Sequence, residues 1–270
     1  MSRSAKFRAL HANADQPLLL VNIWDVGGAR LVESLGAPAI ATTSAGVAWS
    51  LGYADGNHLP VAALAQLAVN IVNAVKVPVS IDVEAGYADD ASVVSENLKP
   101  ILDAGVSGIN IEDGAGPPAV LARKIEAIKL LATSMGIDIF VNARTDVYLQ
   151  NLAPDDRKVE ETLQRAALYK SAGADGLFVP ASASPAHISQ ITAGTDLPIN
   201  LLAWPGLPRV SELAKLGVRR LSVGSGISQI AWRQIANLAE AFLADGDSEL
   251  LSRDPMEYSR LQQVFIDVRS

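Results

Sequence analysis

The 270-residue sequence contains no cysteine. This absence excludes disulfide bonds, thiolate metal sites and a cysteine that acts as nucleophile or general acid, and it leaves the redox compartment open. The sequence also lacks a Gly-rich dinucleotide-binding motif after its first apolar run, where residues 24–29 are WDVGGA. The missing G-x-G-x-x-G spacing disfavours a doubly wound dinucleotide-binding sheet.

Positive charge is in deficit, and long apolar runs are absent. Lys and Arg number 22 against 29 Asp and Glu, and the formal net charge of -7 argues against a nucleic-acid partner. No apolar run reaches the length of a membrane-spanning helix, and the first eight residues lack the apolar segment of a secretory signal. We therefore expect a cytoplasmic protein with neither a nucleic-acid nor a membrane partner.

What the chain does have is a regular alternation of short apolar runs with helix-forming segments. Gly36, Gly105, Gly173 and Gly217 each follow such a segment, as glycine does at many helix C-termini. Strands are expected at residues 18–23, 39–42, 78–82, 107–111, 139–143, 176–179, 198–202 and 219–223. Eight such units favour a (β/α)8 TIM-type barrel over the alternative, a doubly wound open sheet.

The barrel is expected to occupy about residues 18–245 of a single domain that covers residues 1–270. An extra N-terminal helix at residues 4–12 precedes it, and a helical tail at about residues 250–270 follows it. Between the second strand and Pro60 we expect a long loop over residues 47–59, because Pro60 favours the first position of the next helix.

Two carboxylates, Asp82 and Glu84, follow the third predicted strand. In an extended chain, residues two apart point to the same side. Two like charges there are costly to desolvate unless a cation joins them, and Mg²⁺ typically binds one or two carboxylates with water and substrate. Taken alone, the pair fits a metal site or solvated loop acids equally well.

A barrel brings further polar residues to the same mouth, because its active sites lie at the C-terminal ends of the strands. These residues are Asp25, Thr43, Ser44, Glu112, Asp113 and Arg144. Arg144 offers a planar fork to a substrate carboxylate, and the turn after the second strand offers backbone N–H groups to an anion. Asp113 is expected to cap the following turn, and Asp25 is either a helix cap or a site residue. A purely structural Glu112–Arg144 ion pair is a further alternative.

Together, the motifs at these strand ends resemble the isocitrate lyase/phosphoenolpyruvate mutase superfamily. They are VNIWD at 21–25, ARL at 29–31, TSAGVA at 43–48, LGYADG at 51–56, DVEAGY at 82–87, NIED at 110–113 and NARTD at 142–146. The resemblance implies a barrel that binds Mg²⁺, with Mn²⁺ as the alternative, and a small 2-oxo or enolic carboxylate. It also implies a homotetramer whose subunits exchange the last barrel helix, residues 227–243.

The resemblance also implies roles for individual residues. Asp82, Glu84 and Glu112 would form the metal site, with Asp82 as the direct ligand and the two glutamates holding metal-bound water. Asp55 would hold water as well, and Asp55, Glu112 and Arg144 would be the catalytic residues. The substrate-binding residues would be Trp24, Thr43, Ser44, Ala45 and Arg144.

The sequence departs from the family pattern at the positions whose residues determine which reaction a family member catalyses. The lyases carry a cysteine acid after the fourth strand, where this chain has the shorter segment GAGPPA at residues 114–119. Gly114 replaces the lysine of the mutase and of phosphonopyruvate hydrolase. Pro180 and Leu202 stand where the lyases have a glutamate and an asparagine.

We therefore expect a Mg²⁺-dependent lyase that acts on a small 2-oxo carboxylate through an enolate. Carbon–carbon cleavage or decarboxylation of an oxaloacetate-like acid fits best, because the loss of CO₂ needs no dedicated general acid. The alternatives are phosphorus–carbon chemistry on phosphonopyruvate and an oxo-acid-binding protein with little turnover.

Overall fold

The computed structural model describes residues 1–266 and contains a ring of parallel strands. The first apolar run is divided at Val21 into β1 and β2, of which β1 pairs with β9 and β2 pairs with β3. These two halves share one strand position, so the ring has eight positions and the predicted (β/α)8 barrel is confirmed. The strands are β1 Leu18–Leu20, β2 Asn22–Ile23, β3 Ile40–Thr42, β4 Val79–Asp82, β5 Gly108–Glu112, β6 Phe140–Arg144, β7 Gly176–Val179, β8 Ile199–Leu202 and β9 Arg220–Ser222.

Helices alternate with the strands. They are α1 Arg3–Ala12, α2 Val26–Ser34, α3 Ser44–Ser50, α4 Val61–Ala74, α5 Ala91–Asp103, α6 Pro118–Ser134, α7 Lys158–Ser171, α8 Pro185–Ala193, α9 Val210–Lys215, α10 Gly226–Asp245 and α11 Tyr258–Ile266, with a 3-10 turn at Glu249–Ser252. Among residues 1–266, no helix is long and apolar enough to cross a membrane.

The predicted boundaries differ most from the structure in two places, and Pro60 is the N-cap of α4 rather than its first residue. Residues 47–50 belong to α3 and not to the expected loop, because Val47 and Ala48 are buried and hold the segment as a helix. The C-terminal tail is helical only in part: a 3-10 turn comes first and α11 starts at Tyr258. The last four residues of the expected tail, 267–270, lie outside the described residues.

The barrel interior is apolar at the N-terminal ends of the strands and polar above them. A cluster of Phe7, Leu18, Leu20, Ala39, Ala41 and Phe140 fills the lower end. Gly108 makes room for α1 there, since a Cβ atom at this position would lie 2.6 Å from Cε1 of Phe7. Above this cluster the buried residues include Asn110, Asn142, Asn200 and Arg220. The candidate site therefore rests on a polar layer.

Asn22 closes the barrel at its seam. Its side-chain Nδ2 donates to the Thr42 carbonyl oxygen at 2.7 Å, and its Oδ1 accepts from the N–H groups of Val223 and Gly224 at 3.0 and 2.9 Å. The buried amide of Asn22 thus joins β3 to the loop that follows β9. It holds together the two sides of the seam at the rim on which the site residues lie.

The last barrel helix, α10, is largely exposed. Of its 20 residues only Ser228 is buried. Its exposed large apolar side chains are Ile227, Ile230, Trp232, Ile235, Leu238, Phe242 and Leu243. Beside it, Leu19 of β1 is 45% exposed and helps to line an apolar groove of about 660 Å³ with Val21, Leu31 and Leu35. Two apolar surfaces of this kind on one barrel are costly to leave in water.

Candidate active site

Three neighbouring strands bring charged residues to one mouth of the barrel. Asp82, Glu112 and Arg144 are the last residues of β4, β5 and β6. Asp82 is in register with Asn110, and Glu112 is in register with Arg144. These side chains therefore lie together at the C-terminal ends of the strands, where barrel active sites are found.

Asp82 is buried and held from both sides of its carboxylate. Oδ1 accepts the N–H of Glu84 at 3.1 Å, and Oδ2 accepts from Nδ2 of Asn110 at 3.3 Å. The N–H of Asp82 donates to Oγ1 of Thr42 at 2.9 Å. Burial raises the pKa of Asp82 above its ordinary range, although Arg144 and these hydrogen bonds oppose the shift.

Glu84 lies in a turn rather than in the extended chain that we expected, because β4 ends at Asp82. Its φ is +51°, and Asn57 and Tyr87 are also left-handed, at +62° and +60°. These three residues contact one another: Glu84 accepts from the Tyr87 hydroxyl at 2.9 Å and from the N–H of Asn57. A left-handed backbone conformation is unfavourable for residues other than glycine. Three such residues in contact with one another indicate a constrained site.

Arg144 is fixed by two carboxylates. Its Nη1 lies 2.5 Å from Oε2 of Glu112, while Nε and Nη2 donate to the two oxygens of Asp146 at 2.6 and 3.0 Å. Burial alone would lower the pKa of Arg144, but Glu112 and Asp146 outweigh it and leave the pKa raised. Arg144 is therefore a permanent cation with a locked orientation.

Negative charge is nevertheless in excess at this mouth. Burial raises the pKa of Glu112 to about 8; Arg144 opposes the shift, and the carboxylates of Asp82, Asp146 and Glu84 add to it. Burial also raises the pKa of Glu84, and Asp55 adds to that shift. Asp55 itself is exposed, on the loop between α3 and α4, so its charge reaches the buried acids from the solvent side.

The expected substrate-binding residues lie on the rim formed by β2, β3 and α3. Thr43 and Ala45 are buried, whereas Trp24 and Ser44 are partly exposed. The first N–H groups of a helix have no partner within it, and Ser44 and Ala45 supply them in α3. Gly46 allows close packing here, since a Cβ atom would lie 3.1 Å from Cβ of Trp24.

Asp113 is not the turn cap that we expected. Its carboxylate is fully buried, accepts from Nη1 of Arg165 at 2.8 Å and from the Tyr169 hydroxyl, and also accepts the N–H of Asp146 at 2.9 Å. It therefore joins β5 to α7 and to the Arg144 clamp. The open question about Asp25 has a simple answer, because its Oδ1 accepts the N–H of Gly28 and so caps α2.

Sequence reasoning missed three residues that organise the site. Asn110 orients Asp82, Asn57 donates to Glu84, and Asp146 orients Arg144. Asn110 and Asp146 stand two positions from Glu112 and Arg144, a spacing that could have identified them. Nothing local marks Asn57, because its partner Glu84 lies 27 residues later in the chain.

The acids fit a hard cation held largely through water. Within residues 1–266, no group of three or more His, Cys, Asp or Glu side chains has the arrangement of a direct metal cage. One or two direct carboxylates with several waters is the usual coordination of Mg²⁺. Asp82 and Glu84 are buried acids at this mouth that form no ion pair within residues 1–266, and this excess negative charge favours a divalent ion.

Fold and site together define a class of (β/α)8 barrel enzymes with an acid-rich mouth and one clamped arginine. The chain belongs to the phosphoenolpyruvate phosphomutase family, whose model matches residues 7–243, and thus to the isocitrate lyase/phosphoenolpyruvate mutase superfamily. This confirms the resemblance seen in the sequence motifs.

Three relatives illustrate the match. An uncharacterized protein of Mycobacterium tuberculosis is 36% identical over 97% of this chain and 96% of its own length. Oxaloacetate decarboxylase of Ectopseudomonas mendocina is 30% identical over 80% of this chain and 76% of its own length. A crystal structure of a candidate phosphonomutase from Burkholderia cenocepacia is 40% identical, with a TM-score of 0.83 over 88% of this chain and 99% of that one.

We predict that Asp113→Asn destabilises the protein by about 3 kcal/mol, because it removes the buried one of the two carboxylates that pair with Arg165 and leaves only the partly exposed Glu161. The free energy of unfolding in urea, measured without metal, tests this. The matched control is Asp55→Asn, an exposed change that is expected to stay within about 0.5 kcal/mol of the wild type. Equal stability of the two variants would contradict the buried-pair role of Asp113.

Proposed function

We propose that this protein is a Mg²⁺-dependent lyase that decarboxylates, or cleaves the carbon–carbon bond of, a small oxaloacetate-like 2-oxo acid. The observation that carries the proposal is the excess of buried carboxylates around Asp82 beside a cationic Arg144 that Asp146 holds in place. The similarity to an oxaloacetate decarboxylase over most of both chains supports the choice of substrate class.

In this proposal the residues divide between cation and substrate. Asp82 binds the cation directly, and Asp55, Glu84 and Glu112 hold its waters. Mg²⁺, or Mn²⁺ in its place, supplies Lewis acidity toward a 2-oxo carboxylate. Arg144 and the amide groups of α3 bind the substrate carboxylate and favour charge that develops on the oxo oxygen.

The remaining substrate contacts complete the proposal. The Thr43 hydroxyl contributes a hydrogen bond to the substrate, and Trp24 is a further substrate-binding residue. The cytoplasmic location stays a prediction from the sequence.

The second candidate is phosphorus–carbon chemistry, which the match to the phosphomutase family model favours. The connection between β5 and α6 argues against it. Gly114, which replaces the lysine of those enzymes, has a φ of +53° in this connection. A lysine side chain at this position would require an unfavourable left-handed backbone. The third candidate, an oxo-acid-binding protein, differs from the first only in turnover.

We predict Mg²⁺-dependent release of pyruvate from oxaloacetate, and rates at least about 10²-fold lower for isocitrate, 2-methylisocitrate and phosphonopyruvate. The reason is that a missing general acid typically costs about 10²–10⁴-fold. The assay couples reduction of the oxo-acid product (pyruvate, or glyoxylate from isocitrate) to NADH oxidation, and phosphonopyruvate is followed by phosphorus NMR. Each assay runs with and without EDTA, and the oxaloacetate assay is compared with protein-free oxaloacetate at the same Mg²⁺ concentration.

Asp82→Ala is the matched control and is expected to fall to the protein-free rate while it keeps its fold. Efficient cleavage of methylisocitrate would show that another residue replaces the cysteine acid. Calorimetric binding of oxalate without turnover of any substrate would favour the oxo-acid-binding protein.

A second prediction concerns pH. Because the pKa of Glu112 is raised to about 8 in the metal-free protein, a proton competes with the cation below that pH. Mg²⁺ affinity should therefore increase between pH 6 and 8 by up to about tenfold per pH unit and level off above 8. Calorimetry in buffers of different ionisation enthalpy measures both the affinity and the protons released.

Glu112→Gln should flatten this pH dependence and reduce proton release. In the metal-free wild type, the contribution of Glu112 to stability should be fully present below about pH 4.5 and be lost as the pH rises to about 8, since the unfolded carboxyl ionises near the lower value and the folded one near the upper. An Mg²⁺ affinity that does not change between pH 6 and 9 would contradict the raised pKa.

We also propose that the chain assembles as a homotetramer in which α10 of one subunit covers the outer groove beside β1 of another. The exposed apolar side of α10 and the uncovered groove beside it support this, because each is a surface that a partner would bury. Light scattering at micromolar concentration should report a tetramer.

Trp232→Glu combined with Ile235→Asp should dissociate this assembly, because both side chains are exposed on α10. Leu130→Asp is the matched control: Leu130 is 71% exposed, but on α6, and should leave the assembly intact. A wild type that is monomeric at micromolar concentration would contradict the assembly.

A further inference from the structure

Arg220 is a charged residue sealed inside the barrel. It begins β9, its exposure is 0%, and it is among the largest fully buried side chains of residues 1–266. Its register partners are Leu18 of β1 and Asn200 of β8. This places the guanidinium in the polar layer between the apolar lower end of the barrel and the acid-rich mouth.

The contacts of Arg220 lead toward Asp82 through one amide. Nη2 of Arg220 donates to Oδ1 of Asn110 at 3.2 Å, and Nδ2 of Asn110 donates to Oδ2 of Asp82 at 3.3 Å. Asn142 also donates to Oδ1 of Asn110, at 2.9 Å, and so holds the amide independently of Arg220. Nε and Nη1 of Arg220 have no hydrogen-bond partner within the described residues.

A buried guanidinium in this state differs from an ordinary structural arginine. Arg165 shows the ordinary case, because it contacts two carboxylates directly, those of Asp113 and Glu161, at 2.8 and 2.7 Å. Arg220 is completely buried, and its hydrogen bond goes to a neutral amide. A charge in the interior is costly unless an opposite charge compensates it.

The residues around Arg220 identify that opposite charge. Asp82 is the carboxylate that acts on it and raises its pKa, against the larger lowering by burial, which leaves the pKa at about 9. His11 adds no second positive charge beside Arg220, because burial and then Arg220 itself lower its pKa to about 3. The hydrogen-bonded line Arg220–Asn110–Asp82 is therefore also the line of charge compensation.

We propose that Arg220 is a built-in counter-ion for Asp82, which stabilises the metal-free barrel and reduces the affinity of the mouth for a divalent cation. Arg220 is a positioning residue and touches neither substrate nor cation. The inference rests on the proposed function in one respect, namely that Asp82 is the direct metal ligand. The coupling between Arg220 and Asp82 does not depend on any metal.

The first test compares Arg220→Met with Arg220→Lys in a calorimetric Mg²⁺ titration. Met removes the charge at similar volume, and Asn142 keeps Asn110 oriented, so the Mg²⁺ dissociation constant should fall about tenfold. Arg220→Lys keeps the charge and should stay within about twofold of the wild type. The proposal would be overturned if both folded variants had the dissociation constant of the wild type. It would also be overturned if Arg220→Met bound Mg²⁺ more weakly than the wild type.

The second test needs no metal and remains decisive if Arg220→Met does not fold alone. In EDTA, Asp82→Asn relieves the repulsion among the buried carboxylates but leaves Arg220 uncompensated, so the deciding comparison is between this variant and the double variant with Arg220→Met. Adding Arg220→Met to Asp82→Asn should raise the unfolding temperature by about 3 °C, since the unpaired cation is removed. A double variant whose unfolding temperature is lower than that of Asp82→Asn would overturn the proposal.

The two tests separate the proposals. If the wild type binds no Mg²⁺, the proposed function fails, while the metal-free comparison still decides the role of Arg220. If the wild type binds Mg²⁺ and the double variant is the less stable one, the counter-ion proposal fails and the metal site stands.

Discussion

Repulsion among buried carboxylates at one end of the barrel is the constraint on which the rest of the site depends. Asp82, Glu84 and Glu112 share a mouth, and burial raises the pKa of each. Such a cluster persists only if cations or hydrogen-bond donors meet it from several directions. Arg144 forms an ion pair with Glu112, and the N–H of Asn57, from the loop above, donates to Glu84. Asn110, from the interior below, donates to Asp82.

The fold was predictable because its signals are local and repeated. Alternating apolar runs and helices give the number of strand positions. The first predicted run is divided in two because its first half pairs with β9 and its second half pairs with β3. The helix α3 was not predictable in the same way. Its sequence SAGVAWS has no side-chain cap, and it is helical because burial of Val47 and Ala48 overrides weak local preference.

The site was predictable where it follows from strand ends and unpredictable where it depends on distant contacts. Asp82, Glu112 and Arg144 could be placed together from β4, β5 and β6 alone. The role of Asp113 could not, because its partners Arg165 and Tyr169 come from α7, more than 50 residues later. Arg220 shows the same limit, since nothing in its β-type run distinguishes an interior arginine from a surface one.

The same electrostatics bears on the choice of reaction. A carboxyl group that binds a metal ion or its water does so in the ionised form. A proton on a carboxyl group with a raised pKa therefore competes with the cation. Glu112, with a pKa of about 8 in the metal-free protein, would therefore lose its proton as the cation binds. The connection after β5, with left-handed Gly114, carries neither the cysteine nor the lysine of the family pattern that the sequence motifs resemble. Under the proposed function, a site that lacks both of these acids suits a leaving group that needs no proton, and CO₂ is such a group.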